Sequence, residues 1–183
     1  MVGITIGSKP LAGFDQPIEL LKDCHRRIEH FISVLQKVVE QYGDRKLPEE
    51  GRRALETALE YFARAAPRHT ADEEQSLFPR LRRTDDAEAI AVISELNLLE
   101  AEHRRADACH AQVEALGREW LEAEYLNPNK CINLRALLQE LSVLYAAHIQ
   151  LEEERVFEIA VRTLAADDLD EMGAEMRQRR IEN

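Results

Sequence analysis

Apolar residues recur at alternating steps of three and four along most of the chain, the spacing that lays one stripe down an α-helix. A first stripe runs through Ile18, Leu21, His25, Ile28, Ile32, Leu35 and Val39 and stops at Gly43. After a polar turn around Pro48, a second takes Leu55, Leu59, Phe62, Ala66, His69, Glu73 and Ser76, with Leu77 and Leu81 beside it. The third follows the capping residues Thr84-Asp85-Asp86, runs through Val92, Leu96, Leu99, His103, Ala106, His110, Val113, Gly117 and Trp120, and fades before Asn127-Pro128-Asn129. A fourth takes Leu134, Leu138, Leu141, Tyr145, His148, Glu152 and Ile159 towards Leu164. Pro67 removes a backbone donor and predicts a kink two residues before His69, and Pro79 predicts the end of the second helix.

Four long amphipathic helices with short connections predict an all-α fold, an antiparallel up-down-up-down four-helix bundle over residues 16–164. Residues 1–15 carry Gly3, Gly7, Pro10 and Gly13 and read as an extended N-terminal lead-in. Residues 165–183 predict a short C-terminal helix from Asp167 to Arg180, with acids in its first turn and arginines in its last. Leu169, Met172 and Met176 share one face of it and should pack on the bundle.

The polar residues inside the stripes carry the chemistry. One stripe position on each helix is a histidine: His25, His69, His103 and His148. Two of them open the same pattern, His69-x-x-x-Glu73 and His148-x-x-x-Glu152, and similar text follows, Leu77-Phe78 after one and Val156-Phe157 after the other. Residues four apart on a helix differ by about 40° in direction and about 6 Å in height, so an imidazole and a carboxylate at that spacing converge on one point. Burying four imidazoles and two carboxylates is costly unless they are ligated or paired. Metal binding and a hydrogen-bonded core network both answer that cost, and the repeat in matching context favours metal. Imidazole and carboxylate donors suit iron, manganese or zinc.

Composition and charge narrow the class further. Seven Gly and six Pro in 183 residues, with Ala, Leu, Glu and Arg recurring throughout, favour helix over sheet. A net charge of −11, with basic residues interspersed among acidic ones, argues against nucleic acid as a partner. No stretch has the length of a membrane span, and Met1-Val2-Gly3-Ile4-Thr5-Ile6-Gly7 lacks a basic segment followed by an apolar run, so a soluble cytoplasmic protein is expected. Cys24, Cys109 and Cys131 are odd in number and widely spaced, which predicts reduced thiols packed near helix interfaces.

Taken in order, the lone His25, His69-x-x-x-Glu73 leading into Leu77-Phe78-Pro79, Glu102-His103 and His148-x-x-x-Glu152-Glu153 resemble the hemerythrin-like family, the HHE cation-binding domains. The resemblance covers roughly residues 16–164, and the Asp168-Leu169 to Arg179-Arg180 stretch looks like tails that follow this domain. It implies a four-helix bundle around a non-haem di-iron centre, with His25, His69, His103 and His148 as terminal ligands and Glu73 and Glu152 as bridges. An oxo or hydroxo group would complete the bridging. Oxygen-carrying hemerythrins supply two histidines four apart from the third helix, whereas position 107 here is Asp. Asp107, Glu29, His110 or solvent are the options for completing the site, and His30 falls on the outer face.

The resemblance implies binding of, or reaction with, dioxygen or a related small oxidant, in sensing, scavenging or stress response. Peroxide, nitric oxide and iron-sulfur repair chemistry fall within that range. A metal-dependent signalling or scaffold module without turnover is the alternative from another class. A ferritin-like di-iron oxidase is disfavoured, since of the two Glu-x-x-His motifs it would need only Glu100-Ala101-Glu102-His103 has that spacing.

Overall fold

Each predicted stripe is helical over most of its length, and the second and fourth are divided into shorter helices. The computed structural model describes residues 12–181, and no strand occurs among the described residues. Most of the expected N-terminal lead-in, residues 1–11, lies outside the described residues, as do 182 and 183. The helices are α1 (Pro17–Tyr42), α2 (Glu49–Arg64), α3 (Ala66–Asp72), α4 (Phe78–Arg83), α5 (Ala87–Ala91), α6 (Ile93–Ala123), α7 (Pro128–Leu151), α8 (Phe157–Thr163) and α9 (Ala166–Ile181). Two π-helical turns, Glu73–Leu77 and Glu152–Val156, join α3 to α4 and α7 to α8. No helix among the described residues is long and apolar enough to cross a membrane.

Local chemistry sets the boundaries. Pro17 and Pro128 stand in the first turns of α1 and α7, where a missing N–H costs nothing. Asp86 caps α5 by accepting from the Glu88 and Ala89 N–H groups, and Asn127 caps α7 by accepting from Asn129 N–H. α6 ends where Glu124 takes a left-handed φ of 60°, and the Glu124 carbonyl there accepts from Leu47 N–H at 2.8 Å. The kink expected at Pro67 is a break at Ala65 between α2 and α3. Pro79 does not end its helix. The π turn closes with a bond from Phe78 N–H to Glu73 O, and Pro79 then falls in the first turn of α4, where proline is tolerated.

α1 packs against α2 and α7, and α6 against α2 and α7. The apolar core is in two clusters. One gathers Ile28 to Val39 of α1, Leu55 to Phe62 of α2, Ala106 to Trp120 of α6 and Cys131 to Ile149 of α7. The other gathers Ile18 to Leu21, Leu77 to Leu81, Leu96 and Leu99, and Val156 to Ala160, with Met172 and Met176 of α9. Along each long helix path a histidine falls between the two: His25 after Leu21, His69 after Phe62, His103 after Leu99 and His148 after Tyr145.

α9 is fixed by charge as well as by its methionines. Buried Asp72 accepts from Arg179 Nη1 at 2.8 Å and Arg180 Nη2 at 2.7 Å. Buried Arg80 donates to both oxygens of Glu175 at 3.0 Å and to the Ser76 carbonyl, while the Ser76 hydroxyl bonds to Glu175 and accepts from Arg179. Positions 72, 76 and 80 thus give the first π turn and its flanks a polar outer edge that α9 clamps. Gly173 makes this approach possible, because a Cβ there would lie 1.9 Å from the backbone oxygen of Phe14. Gly173→Ala should therefore push α9 from its seat and lower the unfolding free energy by about 1–3 kcal/mol in urea titration. An unchanged midpoint would show that α9 is not held at this point.

Candidate metal centre

The layer between the two apolar clusters is made of His25, His69, Glu73, His103, His148 and Glu152, all buried. The six residues expected as the main ligands all lie in it, and the candidates for completing the site do not. The donor atoms form two groups that share both carboxylates: His25, His69, Glu73 and Glu152 in one, Glu73, His103, His148 and Glu152 in the other, with the atoms of each group within 4.8 Å of one another. Glu73 Oε1 lies 3.3 Å from His69 Nε2 and its Oε2 3.3 Å from His103 Nε2. Glu152 Oε2 lies 3.3 Å from His148 Nε2 and 3.1 Å from His25 Nε2. Neither carboxylate finds a hydrogen-bond partner for either oxygen, nor does His25 Nε2. His103 Nε2 and His148 Nε2 lie 3.1 Å apart and bond to each other, while the orphaned atoms of His25, Glu73 and Glu152 beside them are what a bound cation would satisfy; the nitrogen and oxygen chemistry of the six residues fits iron, manganese or zinc.

The two π turns explain how the repeated text builds this layer. Each begins at the shared Glu, and in each the next phenylalanine N–H bonds back five residues to that Glu carbonyl. A π turn inserts one residue into the helical path, so the Glu points inward and Leu77-Phe78 or Val156-Phe157 are still delivered to the core. Each motif then holds a histidine of another helix. Glu74 accepts from His103 Nδ1 at 2.8 Å and Phe78 lies parallel to that ring. Glu153 accepts from His25 Nδ1 at 2.9 Å and Phe157 stacks on that ring. Glu102 accepts from His148 Nδ1 at 2.9 Å. These three carboxylates fix the ring orientation and leave Nε2 facing the centre. The sequence signal for them was the second Glu of each Glu-Glu doublet and the Glu before His103, residues seen as motif text without a role.

Charge in the layer is balanced internally. Burial pushes His25 towards neutrality, but Glu152, Glu153 and Glu73 overcome it and raise its pKa to about 11. Burial likewise opposes charge on His103, and Glu73 above all outweighs it, raising that pKa to about 9; His148 is also raised, chiefly through Glu152. His69, where burial dominates, is lowered to about 4. Burial works against the charge on Glu73 and Glu152, yet the surrounding imidazoles hold both carboxyls below their ordinary value.

The other candidates stand apart from the donor groups. Glu29 and His30 are exposed, and Asp107 is exposed on a groove that it lines with His110, Phe62 and Pro67. His110 donates to, or accepts from, the Tyr145 hydroxyl at 2.9 Å and stacks on Phe62. Cys24, Cys109 and Cys131 are free and buried.

A family model described as the hemerythrin HHE cation binding domain matches residues 16–160. A Haemophilus influenzae protein described as uncharacterized is 33% identical over a 172-residue alignment that covers 92% of each chain.

Burial lowers the His110 pKa from 6.5 to about 4. Its neutral folded form contributes stability that is present above the unfolded pKa of 6.5 and lost as pH falls towards 4. From pH 7 to 5 this loss is about 2 kcal/mol for metal-free protein. His110→Gln should lose correspondingly less over that interval in paired urea titrations; equal losses would contradict a half-buried His110 that stays neutral in the folded protein.

Proposed function

Because the chain belongs to the hemerythrin HHE cation binding domain family, we propose that its buried layer holds two iron ions in a non-haem centre that binds or reacts with dioxygen or a related small oxidant. The observation that carries this reading is the pair of donor groups sharing Glu73 and Glu152. In it, His25 and His69 would hold one ion and His103 and His148 the other, with Glu73 and Glu152 available to both. Bound iron supplies the redox capacity and the open coordination positions. The chain supplies orientation and dryness: Glu74, Glu102 and Glu153 aim three imidazoles, and Phe78 and Phe157 cover the layer on the side of the second apolar cluster.

Two further parts of the reading rest on the fold. α1 and α6 pass the two apolar clusters in one order and the α2–α3 and α7 paths in the other, which supports an up-down-up-down bundle over residues 16–164 with the 165–183 segment attached to it. Three free, buried thiols suit a reducing compartment such as the cytoplasm.

The position that is histidine in oxygen carriers is Asp107, which is exposed and outside both donor groups. Solvent-accessible coordination positions then favour reaction with an oxidant over reversible carriage, with peroxide, nitric oxide or iron-sulfur repair chemistry as the range of roles. One observation also favours a signalling module: α9 is clamped to Asp72, the residue before Glu73, which anchors an outer helix one residue from the centre.

Protein purified in air should contain roughly two iron ions per chain and show near-ultraviolet charge-transfer bands of a coupled ferric pair. Glu73→Ala and Glu152→Ala should each lower iron content far more than His30→Ala. A colourless chain that takes up no iron on reconstitution, or equal iron in all three variants, would overturn the assignment. Peroxide turnover by the loaded protein separates an enzyme from a sensor.

A further inference from the structure

The two halves of the centre hold their imidazoles alike except at one position. His25 and His69 on α1 and α3 correspond to His103 and His148 on α6 and α7, and the first pair lies 44 residues apart where the second lies 45 (69 − 25 and 148 − 103). Glu153 and Phe157 hold His25 as Glu74 and Phe78 hold His103. His148 has its Nδ1 bonded to Glu102, the residue before His103. The matching residue, before His25, is Cys24, and His69 Nδ1 is buried without a hydrogen-bond partner among the described residues.

That difference bears on metal affinity. A ligating imidazole presents the Nε2 lone pair only while its proton is on Nδ1, and an acceptor at Nδ1 both fixes that tautomer and strengthens the donor. His25, His103 and His148 have carboxylate acceptors at 2.8–2.9 Å. Of the four, His69 alone must bury an unpaired Nδ1–H to ligate, and Cys24, which stands at the sequence place of Glu102, offers it no carboxylate.

Resting on the di-metal reading, we propose that the two metal positions are unequal binding sites, the His103/His148 position filling first and the His25/His69 position being the weak, exchangeable one, with Cys24 in place of a glutamate as the determinant. The difference should be tenfold or more, the range in which loss of an outer carboxylate lowers metal affinity.

Mn²⁺ titration of metal-free protein by calorimetry tests this. Two ions repel each other even in equal sites, so variants that leave one position intact carry the comparison. His69→Ala should retain one Mn²⁺ at least tenfold more tightly than His148→Ala. Glu102→Cys, at a partly exposed position, should weaken the first step tenfold or more. Cys24→Glu should tighten the second. Circular dichroism identifies variants that do not fold. Equal affinities in His69→Ala and His148→Ala, or an unchanged first step in Glu102→Cys, would overturn the inequality while leaving a two-ion centre standing. Wild-type protein that binds no Mn²⁺, or a single ion at saturation, would overturn the di-metal reading itself.

Discussion

Two carboxylates with no hydrogen-bond partner, buried between two apolar clusters, are the constraint on which the rest depends. A carboxylate in such a place is driven to neutralise or to gather cationic partners. Four imidazoles converge on Glu73 and Glu152 from separate helices, and their arrangement fixes the rotation of each helix about its axis. A helix turned by one residue would aim its imidazole away from the carboxylates and bring a neighbour such as Arg26, Thr70, Arg104 or Ile149 towards the layer. The layer is therefore a register device as well as a candidate site.

The π turns are the backbone's answer to a conflict within each motif. Glu73 must face the centre, yet Leu77, Phe78 and Leu81 must face the second cluster, and Asp72, Ser76 and Arg80 must meet α9. One inserted residue per turn lets the same short segment serve all three demands. The second motif shares the first two, and there the stripe 151, 155 and 159 is Leu, Arg and Ile in place of Asp, Ser and Arg. α9 is accordingly clamped to one motif and not the other, which makes the two halves different in support as well as in the anchoring of His69.

The helices and the six central residues were legible because both follow from period. A stripe of three- and four-residue steps locates a helix face, and a histidine on the stripe faces the neighbouring helices. The His-x-x-x-Glu spacing brought each imidazole to its carboxylate, and stripe position separated His25 from exposed His30. What escaped was what depends on contacts between helices. Glu74, Glu102 and Glu153 are off the stripes and look like solvated charges until a neighbouring imidazole is placed beside them. Pro79 looked like a stop because an uninterrupted α-helix was assumed, and a π turn leaves no mark in apolar period. The clamp of Arg179 and Arg180 on Asp72 joins residues more than a hundred apart, and no local pattern pairs them.

The central claim is that Glu73 and Glu152 each serve two ions at once. Anomalous diffraction at the iron edge from crystals of iron-loaded protein tests it most directly. The account predicts two peaks within the buried layer, separated by roughly 3.5–4 Å as in other two-metal sites, with both carboxylates touching both. A single peak, or iron held away from this layer, would contradict it.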